Sequence, residues 1–586
     1  MVARVFVPVA TGYWRGPTAL QAWALTIGLG AAVLLSIGAN VGVSMWNRWF
    51  FDALEQKDAA EASWSLLAFL GIAIGATAAN VALVLARETV QVRWRQWLSR
   101  LLTDTWLTRQ RFYHLNGARD EDATVPEYRI SDDVRWATEP IMDFYIGLLG
   151  AAVSIVSFVG ILWVVGGSLT LGEGDEALTI PAYMVVAGLI HAFLLTLLML
   201  YAGRALPGNV AARQEAEANF RLSLMRVREN ADSVATTHGE FGERSILWRG
   251  LDELVRRWLI VVRQDGQLTW ILHGNGMLLG VLPLLLASPK YISGELSLGA
   301  VMQLASAYVP FQTAMAWAVD NYRALSTWHA SARRVGGLIQ AMRDVDVDLD
   351  RPDLSNIRIV PGTDGRIVVS GLTITDRHKQ VLINDATVTI EPCEKVLLMG
   401  ESGTGKSALA RAIAGLWPWG SGTIRLPEGA SLSFVPQRAY LPLGSLRDAL
   451  RYPADKLDAD DGAIVEVMVR YGIGHLAPRL DVIERWDQLL SNGERQRVAF
   501  VRLALQKPSI VILDDALAAL GDQGQETIMA MLREDLPNST LIGVAQHTGL
   551  ERCHDRTLTL VKSDGGARLH ATPVLVTVTP VRPAVP

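Results

Sequence analysis

Long apolar runs recur through roughly the first 340 residues and then stop. A hydrocarbon core about 30 Å thick is crossed by about 20 mainly apolar residues of helix. Six stretches reach that length: roughly 18–46, 63–87, 142–167, 178–203, 267–288 and 297–319, with cores free of Asp and Glu. The first is too long for a leader, lacks a small-residue cleavage site and is followed by a second span. Orientation follows from Lys and Arg, which resist translocation. The connection 87–140 carries nine Arg and 203–265 carries ten, whereas 48–62, 168–177 and 289–296 carry two, none and one basic residue. The long connections are therefore expected on the cytoplasmic side, and an even number of spans leaves both termini there too. Residues 88–107 and 211–234 lack Pro and Gly and are rich in helix formers. They are predicted to extend the spans below the bilayer; independent surface helices are the alternative.

After residue 343 the pattern changes. A polar linker is expected at 344–364, then an α/β domain at 365–570 in which short apolar runs alternate with helical patterns. The Pro- and Val-rich end, 571–586, reads as a flexible tail. Composition agrees with a membrane protein carrying a soluble half. Of 586 residues, 50% are hydrophobic and 19% charged, and mean hydropathy is +0.23. A net charge of −5 gives no footprint for nucleic acid. Two cysteines, Cys393 and Cys553, cannot make a disulfide framework or a zinc site.

The segment Gly400-Glu401-Ser402-Gly403-Thr404-Gly405-Lys406-Ser407 matches the phosphate-loop pattern in full. It stands between a buried strand, KVLLM, and a helical run, which weighs against a chance glycine-rich turn. The glycines let backbone N–H groups converge on phosphate oxygens, Lys406 would reach the β- and γ-phosphates, and Ser407 would hold Mg²⁺. A second apolar strand, 510–513, ends in Asp514, placed to complete the magnesium shell. Asp515 follows, where a carboxylate can orient the attacking water. His547 follows another apolar strand.

With Gln437 in FVPQRAYLPLGSLRDAL and Ser491-Asn492-Gly493-Glu494 before Arg495-Gln-Arg497, the order over 365–565 resembles an ATP-binding cassette. The resemblance implies ATP and Mg²⁺ as cofactors. Gln437 would link the metal and γ-phosphate to the membrane half, His547 would sense the γ-phosphate, and Ser491 with Gly493 would close a partner's site. One cassette and six spans resemble a half-transporter, so a second copy of the chain is the implied partner, beside membrane lipid and the carried solute. AGLWPWGSGTI, PEYRISDDV, EANFR, RVREN and GELSLGAVMQL are similar to the branch joining SbmA/BacA-like transporters to peroxisomal subfamily D half-transporters. That likeness implies an exporter-type helical fold swapped between partners, in a bacterial inner membrane. It also implies ATP-driven movement, inward, of peptides or cobalamin-like solutes. Lipid or acyl-CoA export is the first alternative and a nucleotide-binding regulator with little turnover the second.

Departures from the family pattern matter. Asp515 stands where Glu is usual, Ala518-Ala-Leu-Gly521 replaces an S-A-L-D segment with Asp522 one place late, and LTITDRHKQVLI offers only His378 for stacking adenine. Polar residues in the spans are costly in lipid and tend to face a cavity. Asn40, Asn80, His191, Asn275, Gln303 and Gln312 are the candidates, with helix–helix hydrogen bonding as the alternative. Trp23, Trp46, Trp49 and Trp64 fall near predicted interfaces, where anchoring is the default.

Overall fold

The computed structural model describes residues 2–115, 125–171, 178–453, 460–518, 520–545 and 548–573. The chain divides into two compact units, 1–343 and 344–586.

The first unit is built from long helices: α1 (Ala19–Glu55), α2 (Ala59–Leu107), α3 (Val134–Gly166), α4 (Tyr183–Gly203), α5 (Leu206–Glu229), α6 (Glu240–Ile292) and α7 (Leu298–Asp320), followed by α8 (Tyr322–Leu349). Asp58 starts α2 by accepting from Ala60 N and Glu61 N at 2.9 and 3.0 Å. Both predicted extensions are helical: α2 continues through 88–107, and 211–234 falls in α5 and the short helix Ala231–Thr236.

Five helices among the described residues, not six, are long and apolar enough to cross a membrane. The exception is α7, the stretch read as 297–319. Gln303 and Gln312 lower its hydropathy, and both are buried. The helix can carry them because α1, α3, α4 and α6 pack around it, so little of it faces lipid. Glycines allow the close contacts: a Cβ on Gly147 of α3 would collide with Trp317 Nε1, and one on Gly188 of α4 would lie 2.5 Å from Phe311 Cε1.

Two more expectations fail locally. Residues 178–180 are not helix but strand β2 (Leu178–Ile180), antiparallel to β1 (Leu169–Leu171). Pro181 explains this, because the residue before a proline is driven to extended backbone. The third stretch does hold a carboxylate, Asp143, which accepts from Gln91 Nε2 at 3.2 Å and lies 3.7 Å from Arg87.

In the second unit, 344–364 is no linker. It contains the end of α8 and strand β3 (Ser355–Gly362), which pairs parallel with β7 (Gly420–Pro427). These two join β4 (Ile367–Thr375) and β5 (Val381–Ile390) in a four-stranded sheet ordered β3-β7-β4-β5. The larger sheet contains β6 (Lys395–Gly400), β8 (Leu432–Val435), β11 (Ile510–Asp514), β12 (Thr540–Val544), β13 (Arg556–Val561) and β14 (Arg568–Pro573), in the order β14-β13-β6-β12-β11-β8. A two-stranded pair, β9 (Gly444–Ser445) with β10 (Ile483–Glu484), lies outside both sheets. Strand β14 carries ordered chain past residue 571, where the tail was expected to begin; 574–586 lies outside the described residues. Strands β11 and β12 are buried along their whole length, which is why they read as unbroken apolar runs. Helix α9 (Lys406–Ile413) packs on β6, β11 and β12, and α10 (Leu446–Arg451) and α11 (Asp461–Arg470) follow it along the chain.

Candidate nucleotide site

The phosphate loop runs from Gly400 at the end of β6 to Lys406 and Ser407 at the start of α9, at the carboxyl end of a mainly parallel sheet, where ligands of open α/β sheets bind. Glycine is required at Gly400: its φ is 149°, and a Cβ would lie 2.5 Å from the Leu560 carbonyl oxygen. Gly405, at φ 91°, opens α9 and sits against Ile383. Such turns aim successive N–H groups at one point, and the helix N-terminus adds positive potential there. Glu401 and Ser402 are exposed, while Thr404 is buried and donates from its hydroxyl to Glu401 O at 2.8 Å.

Lys406 is buried and donates to Gly400 O at 2.7 Å and Glu401 O at 2.9 Å, so its ammonium braces the loop from inside. Burial pushes its pKa below the ordinary lysine value; the carboxylates of Asp515 and Asp514 act the other way. Ser407 Oγ donates to Asp514 Oδ1 at 2.8 Å, joining α9 to the end of β11. The other Asp514 oxygen lies 3.7 Å from Arg411, one turn further along α9. The sequence reading missed Arg411, although its i+4 spacing from Ser407 places both on one helix face.

These donors suit Mg²⁺. The ion takes hard oxygen ligands, commonly one or two carboxylates with waters and substrate phosphates. Ser407 and Asp514 supply such oxygens, and among the described residues no group of three His, Cys, Asp or Glu forms a closed cage for another metal.

Asp515 has φ 51°, in the left-handed region. Asp adopts that region more readily than most residues, because its short side chain bonds locally. Its backbone N–H donates to Val544 O at 3.2 Å and its carbonyl accepts from Ala518 N at 3.1 Å, fixing the turn. His547 lies outside the described residues.

With this geometry the comparisons agree. Residues 16–290 match the family described as ABC transporter transmembrane region 2, and 383–518 the family described as ABC transporter. An uncharacterized ABC transporter ATP-binding protein of Synechocystis is 31% identical over 92% of this chain and 80% of its own. The chain belongs to the ABC transporter family. The chloroplastic ABC transporter D family member 2 of Arabidopsis thaliana is 27% identical, covering 95% of this chain and 86% of its own. The inner membrane ABC transporter ATP-binding protein YddA of Escherichia coli is 26% identical, covering 89% and 91%. A membrane region and one cassette on one chain make this ABC protein a half-transporter, related to subfamily D, that couples ATP hydrolysis to transport across a membrane.

The remaining predicted residues form a second constellation in the ABC cassette. Ser491 caps α12 (Asn492–Gln506): its Oγ accepts from Glu494 N at 3.3 Å, and Glu494 Oε2 accepts from Ser491 N at 2.9 Å and Ser491 Oγ at 2.7 Å. The Ser491 hydrogen bonds, with His475 at 3.1 Å, hold the Glu494 carboxyl below its usual range. Ser491 and Asn492 are exposed and Gly493 is half-buried in the first turn. Gln437 is exposed, and its carbonyl oxygen accepts from Gln496 Nε2 of α12 at 3.2 Å. Gln437, Asn492 and Gln496 line one cavity of about 300 Å³ with Arg438 and Arg495. Nothing in the sequence pattern pointed to Gln496. His378 is exposed; beside it, the guanidinium carbon of Arg377 lies 5.3 Å from the Trp419 ring centroid, a pair the sequence reading also missed.

Proposed function

We propose that two copies of this half-transporter pair to carry a hydrophilic, amide-bearing solute through the inner membrane, with the cassettes and both termini in the cytoplasm. The loop glycines, Thr404 and Lys406 hold the ATP phosphates, while Ser407 and Asp514, with Gln437, hold Mg²⁺. Ser491, Asn492, Gly493 and Glu494 face the partner's nucleotide, and His547 senses the γ-phosphate. Asp515 orients the attacking water. The inward direction rests on the BacA-like resemblance alone.

The observation that carries the choice of passenger is a polar cluster inside the membrane unit. His191 lies 3.2 Å from Tyr308 Oη and 2.9 Å from Asn275 Oδ1, and Gln312 Nε2 donates to Gly188 O at 2.7 Å. Asn275, Gln312, Thr196 and Thr313 are among the residues lining a cavity of about 140 Å³, and the buried Gln312 Oε1 has no hydrogen-bond partner among the described residues. The uncharged donors and acceptors suit an amide or hydroxyl, and Leu195, Met199, Leu272 and Leu279 beside them suit apolar parts of the same solute. Two other candidates face elsewhere: Asn80 accepts from Ser36 at 3.0 Å on an exposed face, and Asn40 is exposed. ATP-dependent accumulation of a labelled peptide or of cobalamin is expected in proteoliposomes. Gln312→Leu is expected to lower it about tenfold, the worth of one hydrogen bond. Absence of flux for either probe, with ATPase stimulated by acyl-CoA, would select the second reading, lipid or acyl-CoA export, which the likeness to a D family member favours.

Asp515 sets the hydrolysis rate. Its carboxylate ends one methylene short of the family's Glu, and a misplacement of about 1 Å costs on the order of 100-fold. Glutamate would regain reach but meet about 1–2 kcal/mol of left-handed strain. Asp515→Glu is therefore expected to raise kcat by no more than about tenfold, and Asp515→Asn to lower it about 100-fold or more with MgATP affinity retained. An unchanged rate in both variants, in a phosphate-release assay, rules out this role.

A further inference from the structure

Outside the nucleotide site, the membrane unit contains a cavity of about 430 Å³ where the N-terminal segment folds back on α2. Tyr13, Arg93, Trp97, Arg100 and Asp104 are among its lining residues. The segment is fastened tightly: Trp94 Nε1 donates to Ala10 O at 3.0 Å, and a Cβ on Gly12 would lie 2.9 Å from Trp97 Cη2. Tyr13 packs its ring 6.0 Å from that of Trp97, and Trp14 lies 5.0 Å from Trp94.

These aromatics mark a depth in the bilayer. Tyr13, Trp14, Trp94 and Trp97, with Trp23 on α1, form one belt; Trp46, Trp49 and Trp64 form another. From Trp23 to Trp46 the helix rises about 35 Å at 1.5 Å per residue. That separation matches a hydrocarbon core of about 30 Å with aromatic rings at each interface. On α2 the same rise sets Trp94 about 45 Å from Trp64, the thickness of a bilayer with its headgroups. The cavity therefore stands at the outer edge of the headgroups, where the 88–107 extension leaves the membrane on the arginine-rich side.

Its lining suits an anion. Arg93 and Arg100 are exposed, seven residues apart on one face of α2. Among the described residues Arg93 Nη1 donates one weak bond, to Gln96 Oε1 at 3.4 Å. Tyr13 is 2% exposed, and its hydroxyl has no hydrogen-bond partner among the described residues, a costly state in a dry interior unless a ligand accepts its hydrogen bond. Burial raises the Tyr13 pKa, and the nearby Arg93 charge opposes the rise. Against two guanidinium groups the lining sets one carboxylate, Asp104, leaving a net positive site.

We propose that this cavity binds the phosphate of an anionic membrane lipid, with Arg93 and Arg100 on its oxygens, the Tyr13 hydroxyl donating to it and Trp97 against the glycerol. Guanidinium forks match phosphate geometry, and the anionic inner leaflet supplies the ligand. The site would tie the N-terminal segment to the bilayer whatever solute is carried.

Native mass spectrometry of the full-length protein, released from nanodiscs of phosphatidylcholine with and without phosphatidylglycerol, tests this. Wild type is expected to retain phosphatidylglycerol in preference to phosphatidylcholine. Arg93→Gln with Arg100→Gln is expected to weaken that retention about 30-fold, from about 1 kcal/mol per arginine near the surface. Tyr13→Phe, which leaves ring packing intact, is expected to weaken it severalfold, and Arg93→Lys with Arg100→Lys to restore part of it. Equal retention by wild type and the glutamine variant overturns the proposal. So does displacement of the lipid by inorganic phosphate, which would assign the site to a soluble anion.

Discussion

Replacing Lys406 with Ala is expected to lower ATP hydrolysis on the order of 100- to 1000-fold, the effect of removing one preorganised donor from a charge-developing site. Two things are lost together. The ammonium proposed to neutralise the β- and γ-phosphates disappears, and Gly400 O and Glu401 O lose their internal donor. MgATP affinity should fall as well, so binding and phosphate release are both measured in nanodiscs. Hydrolysis within threefold of wild type would place the phosphates elsewhere. Transport of any solute should fail with hydrolysis, because the reaction supplies the drive.

The second large effect is on stability and lies far from the nucleotide. Asp133 is fully buried and accepts from Arg334 Nε at 3.0 Å on each carboxylate oxygen and from Arg129 Nη1 at 2.8 Å. It joins the start of α3 to α8. Breaking a buried pair by removing one partner typically costs 3–5 kcal/mol, and the partial exposure of Arg129 and Arg334 sets the expected loss at the low end, about 3 kcal/mol. Asp133→Ala is expected to lose about that much, read as a sharply shortened half-life at fixed temperature, since proteins of this size unfold irreversibly. Replacing Asp133, Arg129 and Arg334 together with apolar residues should recover most of it. A single variant as durable as wild type would show that the triad is not a structural lock.

That triad also shows where sequence reading stopped. PEYRISDDV was recognisable as a family segment, but its purpose depends on Arg334, far along the chain in a helix that the pattern of apolar spans does not single out. The neighbouring misreadings have other causes. Ile357 and Ile359 alternate with Arg358, a strand signal overlooked inside a stretch judged polar. Pro181 announced the end of extended chain before α4, and the apolar run concealed it. For α7, hydropathy measures what a helix could face, and only packing reveals that its glutamines face protein. At the nucleotide site the phosphate loop, Ser407 and Asp514 were legible because strand, turn and helix are contiguous in sequence. Arg411 was within reach of a spacing argument, whereas Gln496 depended on how α12 meets the Gln437 loop.

The amino-acid order by itself determined the two-part architecture, the phosphate loop with Ser407 and Asp514 beside it, and the excess of arginine in the long connections between spans. Those features are written in local periodicity, glycine placement and composition, which need no distant contact to be expressed. Tertiary structure decided the burial of α7, the Asp133 lock, the gathering of His191, Asn275 and Gln312, and the left-handed backbone at Asp515. Each of these depends on which elements meet, and such meetings are set by packing across long separations that no single stretch of sequence encodes.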